Sequence, residues 1–202
     1  MRLVILDRDG VINRDSPDHI TDPDKWLPLP GSIDAVARLC RADYRVVIAT
    51  NQSGVARGLF DMSMLNKIHI RMLELMHHRG ARVDAIFVCP HGPRDRCSCR
   101  KPKPGLLEDI ASRLNINLTA VPAVGDSLRD LQAAQAVSAM PVLVRTGNGE
   151  RTAADLRTRP SLQKLASVPV FDDLSAFADA LLAGELDGVV DELRHGTAGS
   201  SG

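Results

Sequence analysis

Short β-branched runs alternate with longer amphipathic stretches along this chain, the pattern of a parallel sheet flanked by helices. Residues 3–6, 45–49, 85–88, 120–124 and 142–144 read as strands, with 168–171 a weaker sixth. Between them, 32–41 opens on a serine cap after Pro30-Gly31 and sets Ile33, Val36, Ala37 and Cys40 on one face. Residues 62–78 place Leu65, Ile68, Met72, Leu75 and Met76 at helical spacing, and 104–114 begins with a proline that a first turn tolerates. Residues 128–137 and 174–182 complete the helices. The pattern predicts an α/β fold, a Rossmann-like parallel sheet flanked by helices. One domain over 1–184 is followed by an extension over 185–202, whose small polar end, 197–202, is expected to be disordered. Residues 16–30 are rich in proline and aspartate, hold the only tryptophan, Trp26, and read as a loop near a site.

Composition narrows the choice of partner. Lys plus Arg balance Asp plus Glu at 25 each, so no global field favours nucleic acid or an anionic membrane, and any anion site must be local. Aromatics at 3% disfavour a stacking surface for single strands. No stretch approaches the length of a membrane span, and the amino terminus enters a strand with no apolar segment of signal length. The expectation is a cytoplasmic enzyme acting on a small molecule, a monomer rather than an oligomer.

Chemistry gathers where candidate strands end. Leu3-Val4-Ile5-Leu6 runs into Asp7-Arg8-Asp9-Gly10, two carboxylates at the carboxyl end of a strand, where open parallel sheets bind ligands. Carboxylates this close repel unless a cation or shared proton relieves them. Thr50-Asn51-Gln52-Ser53-Gly54 follows the second strand, and a hydroxyl beside successive N–H groups can cradle phosphate. Arg100-Lys101 stands just before a helix, and Gly125-Asp126-Ser127 follows the fourth strand, where Asp126 could complete a metal site with Asp7. Singly these read as turn residues, solvated charge or helix caps. Their ordered combination at one sheet edge points to a divalent metal and a reaction on phosphate.

Cys89-Pro90-His91 and Cys97-Ser98-Cys99 form a second cluster. Three thiolates and an imidazole suit tetrahedral structural zinc. A disulfide is the alternative, although it leaves one of the three cysteines unpaired and needs an oxidising compartment. Because Cys99 precedes Arg100 directly, clamping the cysteine would fix where Arg100 and Lys101 point. Cys40 reads as a core residue, His69, His77 and His78 as surface or packing residues, and His195 as part of the tail.

Taken together, Asp7-Arg8-Asp9-Gly10-Val11-Ile12-Asn13, Thr50-Asn51-Gln52-Ser53-Gly54-Val55-Ala56-Arg57-Gly58, Lys101 and Asp126 resemble the motifs of haloacid dehalogenase superfamily phosphatases. The match covers residues 1 to about 145 and is narrowest to the branch holding histidinol phosphatases and heptose-bisphosphate phosphatases. The resemblance implies phosphomonoester hydrolysis with Asp7 as nucleophile and Asp9 as general acid/base. It implies Mg²⁺ on Asp7, Asp126 and the Asp9 backbone carbonyl. Thr50, the Asn51 amide and Lys101 would hold the phosphoryl group, and Arg100 the rest of the substrate. Asp15 and Ser127 are weaker substrate contacts, and Asp15-Ser16-Pro17-Asp18-His19 departs from the branch's usual loop. It implies zinc on Cys89, His91, Cys97 and Cys99, and little room for a large cap domain. The leading expectation is removal of the C7 phosphate of a heptose 1,7-bisphosphate. Histidinol phosphate, broken DNA ends and a silent phosphate-binding module are the rivals.

Overall fold

The structure is a computed structural model that describes residues 2–16 and 18–196; the tail at 197–202 lies outside the described residues. Six strands, β1 (Arg2–Leu6), β2 (Tyr44–Asn51), β3 (Ala85–Cys89), β4 (Pro122–Gly125), β5 (Met140–Val144) and β6 (Val170–Phe171), form one sheet in the order β3-β2-β1-β4-β5-β6. Every pairing is parallel. Strand order reverses direction at β1, between β2 and β4, so the crevice at its carboxyl end is the switch point where such sheets bind ligands.

The apolar run of β1 is explained by burial on both faces. Val4 and Leu6 enter one core with Val46, Ile48 and residues of α1 (Ser32–Arg41), α3 (Met62–His77) and α7 (Leu174–Leu182). Leu3 and Ile5, pointing the other way, pack with Val47, Ala49 and residues of α4 (Gly105–Leu114) and α5 (Leu128–Ala136).

Three helices depart from the expected pattern. Ser53–Ala56 makes a single turn, α2, too short for any periodicity. Gly149–Thr158 forms α6, whose small buried face of Gly149, Thr152, Ala153 and Leu156 leaves a weak hydrophobic signal. Asp187–Gly196 forms α8, with Val189, Val190 and Leu193 packed on the main core. Strand bounds shift as well. β4 starts at Pro122 because Ala120 takes a positive φ of 60°. β2 runs on through Thr50 and Asn51, which pair with Val88 and Cys89 of β3.

Candidate active site

Residues from the ends of β1, β2 and β4 and the start of α4 converge on a cleft of about 340 Å³. Asp7, Asp9, Asn51, Arg100, Lys101, Asp126 and Asp15 all line it. Asp7 is fixed by its own N–H, which donates to the Val124 carbonyl at 2.9 Å and so ties the end of β1 to β4. The chain then turns at Gly10 with φ +80°, and a Cβ there would stand 2.1 Å from the Asp126 carboxylate. Only glycine allows both the turn and the approach of Asp126 to Asp7.

Lys101 is the buried cation beside Asp7. Its ammonium reaches Asp7 Oδ1 at 3.1 Å, Asp130 Oδ1 at 2.5 Å and the Ala49 carbonyl at 2.7 Å. Burial works against its charge, but Asp130 and Asp7 win and push it up to about 12. Carboxylate oxygens of Asp7, Asp126 and Asp130 lie within 4.8 Å of one another. Burial pushes Asp7 up to about 8; Lys101 opposes this, while Asp130 and Asp126 add to it. Burial and Asp130 likewise push Asp126 up to about 6, although it accepts hydrogen bonds from the Asn148 backbone and side chain at 2.8 and 3.1 Å. One ammonium does not balance this set. Asp130 is already engaged by Lys101 and Ser127, so Asp7 and Asp126 remain as oxygen donors, a set that fits a hard divalent cation.

Asp9 has the opposite environment. Burial would raise it, but the Arg8 guanidinium together with hydrogen bonds from Asn13 and Gln52 outweighs that and holds it below the ordinary carboxylate value. Arg8 Nη2 meets both Asp9 oxygens at 3.0 Å, Asn13 Nδ2 donates to Oδ1 at 2.9 Å and Gln52 Nε2 to Oδ2 at 2.7 Å. The two acids, separated by one residue, are therefore electrostatically distinct, with Asp7 holding its proton more tightly than Asp9. A divalent cation beside Asp7 would lower it, as an ionised nucleophile requires.

The hydroxyl residues sit behind the cleft rather than on its wall. Thr50 is buried and its hydroxyl accepts from Gln52 Nε2 at 2.8 Å. Ser127 caps α5 in a reciprocal capping box with Asp130. The Asn51 side chain bonds the Lys101 backbone twice, to its carbonyl at 3.1 Å and from its N–H at 3.2 Å, which locks the lysine's entry into the site. Arg100 faces the cleft mouth with Arg57 and Arg129; burial, then its two arginine neighbours, lower its basicity.

Donor atoms of Cys89, His91, Cys97 and Cys99 also fall within 4.8 Å of one another. Cys89 Sγ lies 3.2 Å from Cys99 Sγ, 3.9 Å from Cys97 Sγ and 3.7 Å from His91 Nδ1, and all three cysteines are free thiols. A tetrahedron with zinc–sulfur bonds of about 2.3 Å has edges of about 3.8 Å, so the set could hold zinc once Cys89 and Cys99 move apart by about half an ångström. The loop's His91 carbonyl accepts from Arg100 Nη1 at 3.1 Å, a direct link from the cluster to the cleft.

Residues beyond the motif positions also matter here. Asn148, from the turn before α6, bonds both Asp126 and, at 3.2 Å, Asp15. Gln52 and Asn13 grip Asp9, and Asp130 shares Lys101. Gln52 and Asn13 stood inside the recognised stretches; Asn148 had no sequence signal, because an Asn between glycines is an ordinary loop residue.

Two family descriptions match the chain: polynucleotide kinase 3 phosphatase over residues 3–135 and HAD-hydrolase-like over 98–176. They define the class, a phosphatase of the haloacid dehalogenase type, in keeping with the sheet and its acid pair. The chain is 54% identical over 182 residues, 90% of its length and 98% of the relative's, to a D-glycero-β-D-manno-heptose-1,7-bisphosphate 7-phosphatase of Bordetella bronchiseptica. It is 50% identical to the protein of that name in Pseudomonas aeruginosa, over 89% of this chain and 97% of the relative. A crystal structure of D,D-heptose 1,7-bisphosphate phosphatase from B. bronchiseptica with magnesium and phosphate superposes with a TM-score of 0.84, covering 91% of this chain and 99% of that one. The chain belongs to the D-glycero-β-D-manno-heptose-1,7-bisphosphate 7-phosphatase family.

Proposed function

We propose that this protein hydrolyses the C7 phosphate of D-glycero-β-D-manno-heptose 1,7-bisphosphate in the cytoplasm, with Mg²⁺ at the acid cluster and a structural zinc in the cysteine loop. The observation that carries the reading is the division of charge in the cleft. Lys101 is buried beside Asp7, while Arg57, Arg100 and Arg129 line the same cleft at its wall. A bisphosphate needs one anion site for the phosphoryl group that reacts and another for the one it keeps. Histidinol phosphate has an ammonium beside its ester and an imidazole at its far end, so it offers no second anion to an arginine-lined wall.

Asp7 attacks phosphorus while the bond to the sugar oxygen breaks, giving an aspartyl-phosphate. Asp9 delivers a proton to the departing oxygen, then takes one from the water that cleaves the acyl phosphate, so protons balance over the cycle. Asp7, Asp126 and the Asp9 backbone carbonyl would hold Mg²⁺, which supplies positive charge at the phosphoryl oxygens. Lys101 adds fixed charge, with Thr50 and Asn51 holding the turn that faces the phosphate. Arg100 grips the far end of the substrate as a planar anion partner, and Asp15 contacts sugar hydroxyls.

Phosphate release from a panel tests this: both anomers of the heptose bisphosphate, fructose 1,6-bisphosphate and histidinol phosphate. The β-anomer should have a kcat/KM at least about tenfold above the rest, a discrimination of about 1.4 kcal/mol. Histidinol phosphate turned over as well or better would overturn the assignment.

A further inference from the structure

Arg8 is 1% exposed, an arginine side chain withdrawn almost wholly from water. Such a charge needs every donor placed. Its Nε and Nη2 hold Asp9, and Nη1 meets His69 Nε2 at 3.1 Å. His69 lies on α3, among inward-facing Leu65, Ile68, Met72 and Met76, and is itself 7% exposed. It is the polar member of an otherwise apolar face, and its contact is with the arginine that grips Asp9. An imidazole accepts at Nε2 only when neutral and protonated on Nδ1. Burial, then the Arg8 charge, press His69 down to about 4, so the acceptor is present throughout the neutral range.

We propose that His69 is a positioning residue for the reaction: by fixing the Arg8 fork from behind, it sets the direction of the Asp9 carboxyl toward the leaving oxygen. The inference rests on the reading of Asp9 as the general acid. A guanidinium is planar, so one anchored Nη1 fixes the plane in which Nε and Nη2 meet the carboxylate. Without the imidazole the guanidinium can rotate, and Asp9 keeps its charge partner but loses its aim. The fold positions His69 through α3, so this helix reaches the chemistry without lining the cleft.

The test uses leaving groups. A sugar oxygen needs the acid's proton to depart; p-nitrophenolate does not. kcat/KM, which reports steps up to formation of the aspartyl-phosphate, is measured for heptose bisphosphate and p-nitrophenyl phosphate in wild type, His69→Phe, His69→Gln, Arg8→Lys and Asp9→Asn. Loss of general-acid aim should lower His69→Phe by about 10- to 100-fold on the sugar phosphate. On the aryl ester the loss should stay within about threefold, because no proton is needed there. His69→Gln, which restores an acceptor, should recover most of the sugar-phosphate rate. Arg8→Lys, which keeps the charge and loses the fork, should repeat the pattern of His69→Phe and serves if the phenylalanine variant fails to fold. Asp9→Asn failing to show the aryl preference would defeat the reading of Asp9 as the acid. Asp9→Asn showing it while the His69 and Arg8 variants lose both substrates equally, or neither, would overturn the positioning role alone.

Discussion

At Asp7 the demands of catalysis and of folding conflict. The carboxyl is packed against Asp126 and Asp130 with only Lys101 to offset them, and it is pushed from 3.8 to about 8. A raised carboxyl means the folded state binds more protons than the unfolded one between those values. Stability from this group is therefore lost as pH rises through that window, and at pH 7.5 most of the penalty is present. Asp7→Asn should remove it. In magnesium-free buffer at pH 7.5 the variant's Tm should rise by about 2–5 °C, while phosphate release falls by about a thousandfold or more. Added Mg²⁺ should stabilise the wild type and leave the variant nearly unmoved. Substantial residual turnover would mean that Asp7 is not the nucleophile, and an equal Mg²⁺ response would remove it from the metal site.

Among elements, the cysteine loop meets Arg100 through the His91 carbonyl. The stretch 92–96 has no core of its own and relies on Asp95, which accepts from the Gly92 N–H at 2.7 Å, and on the cysteine cluster at its base. Without zinc, burial pushes the Cys89 thiol up to about 12 and raises Cys99 as well. At Cys97 burial is outweighed by hydrogen bonds, led by the Arg100 backbone, which lower it, so the cluster is left with sulfur hydrogen bonds alone to clamp the loop. Stripping zinc from the folded enzyme should lower kcat/KM for the heptose bisphosphate by about 10- to 100-fold. Arg100→Ala should cost little more in the stripped protein than stripping alone costs, because both act on one contact. Equal kcat/KM with and without zinc would sink this coupling. The one-residue-spaced cysteine and histidine cluster was legible in the sequence because its chemistry is local. The acid pair and Lys101 were legible because strand ends collect in a parallel sheet. The contact of His69 with Arg8, and of Asn148 with Asp126, was not. Each joins residues far apart in the chain, and a histidine on an apolar helix face reads as packing until its partner is seen. α6 escaped for a related reason: its Thr152 earns burial by donating to the Asp126 carbonyl at 3.0 Å, which no hydropathy pattern records.

Across the whole molecule, the candidate site and α8 lie toward opposite ends of the sheet's strands. Asp7, Asp126, Thr50 and the cysteine cluster occupy the carboxyl edge. α8 contacts β5 and sets Val189 and Leu193 beside Met140 and Pro141, where β5 begins. The helix covers core that would otherwise meet water, and no α8 residue lines the cleft. Its contribution should therefore be to stability alone. Ending the chain after Leu186 exposes the apolar surface under Val189, Val190 and Leu193. Partly buried side chains of this kind contribute about 1 kcal/mol each, which corresponds to a Tm lower by about 5–10 °C in a domain of this size. kcat and KM, measured well below the new transition, should stay within about twofold of the full chain, since the described residues of α8 do not line the cleft. A truncated protein that keeps its Tm but loses turnover would place α8 in communication with the site, and the separation of edges would be wrong.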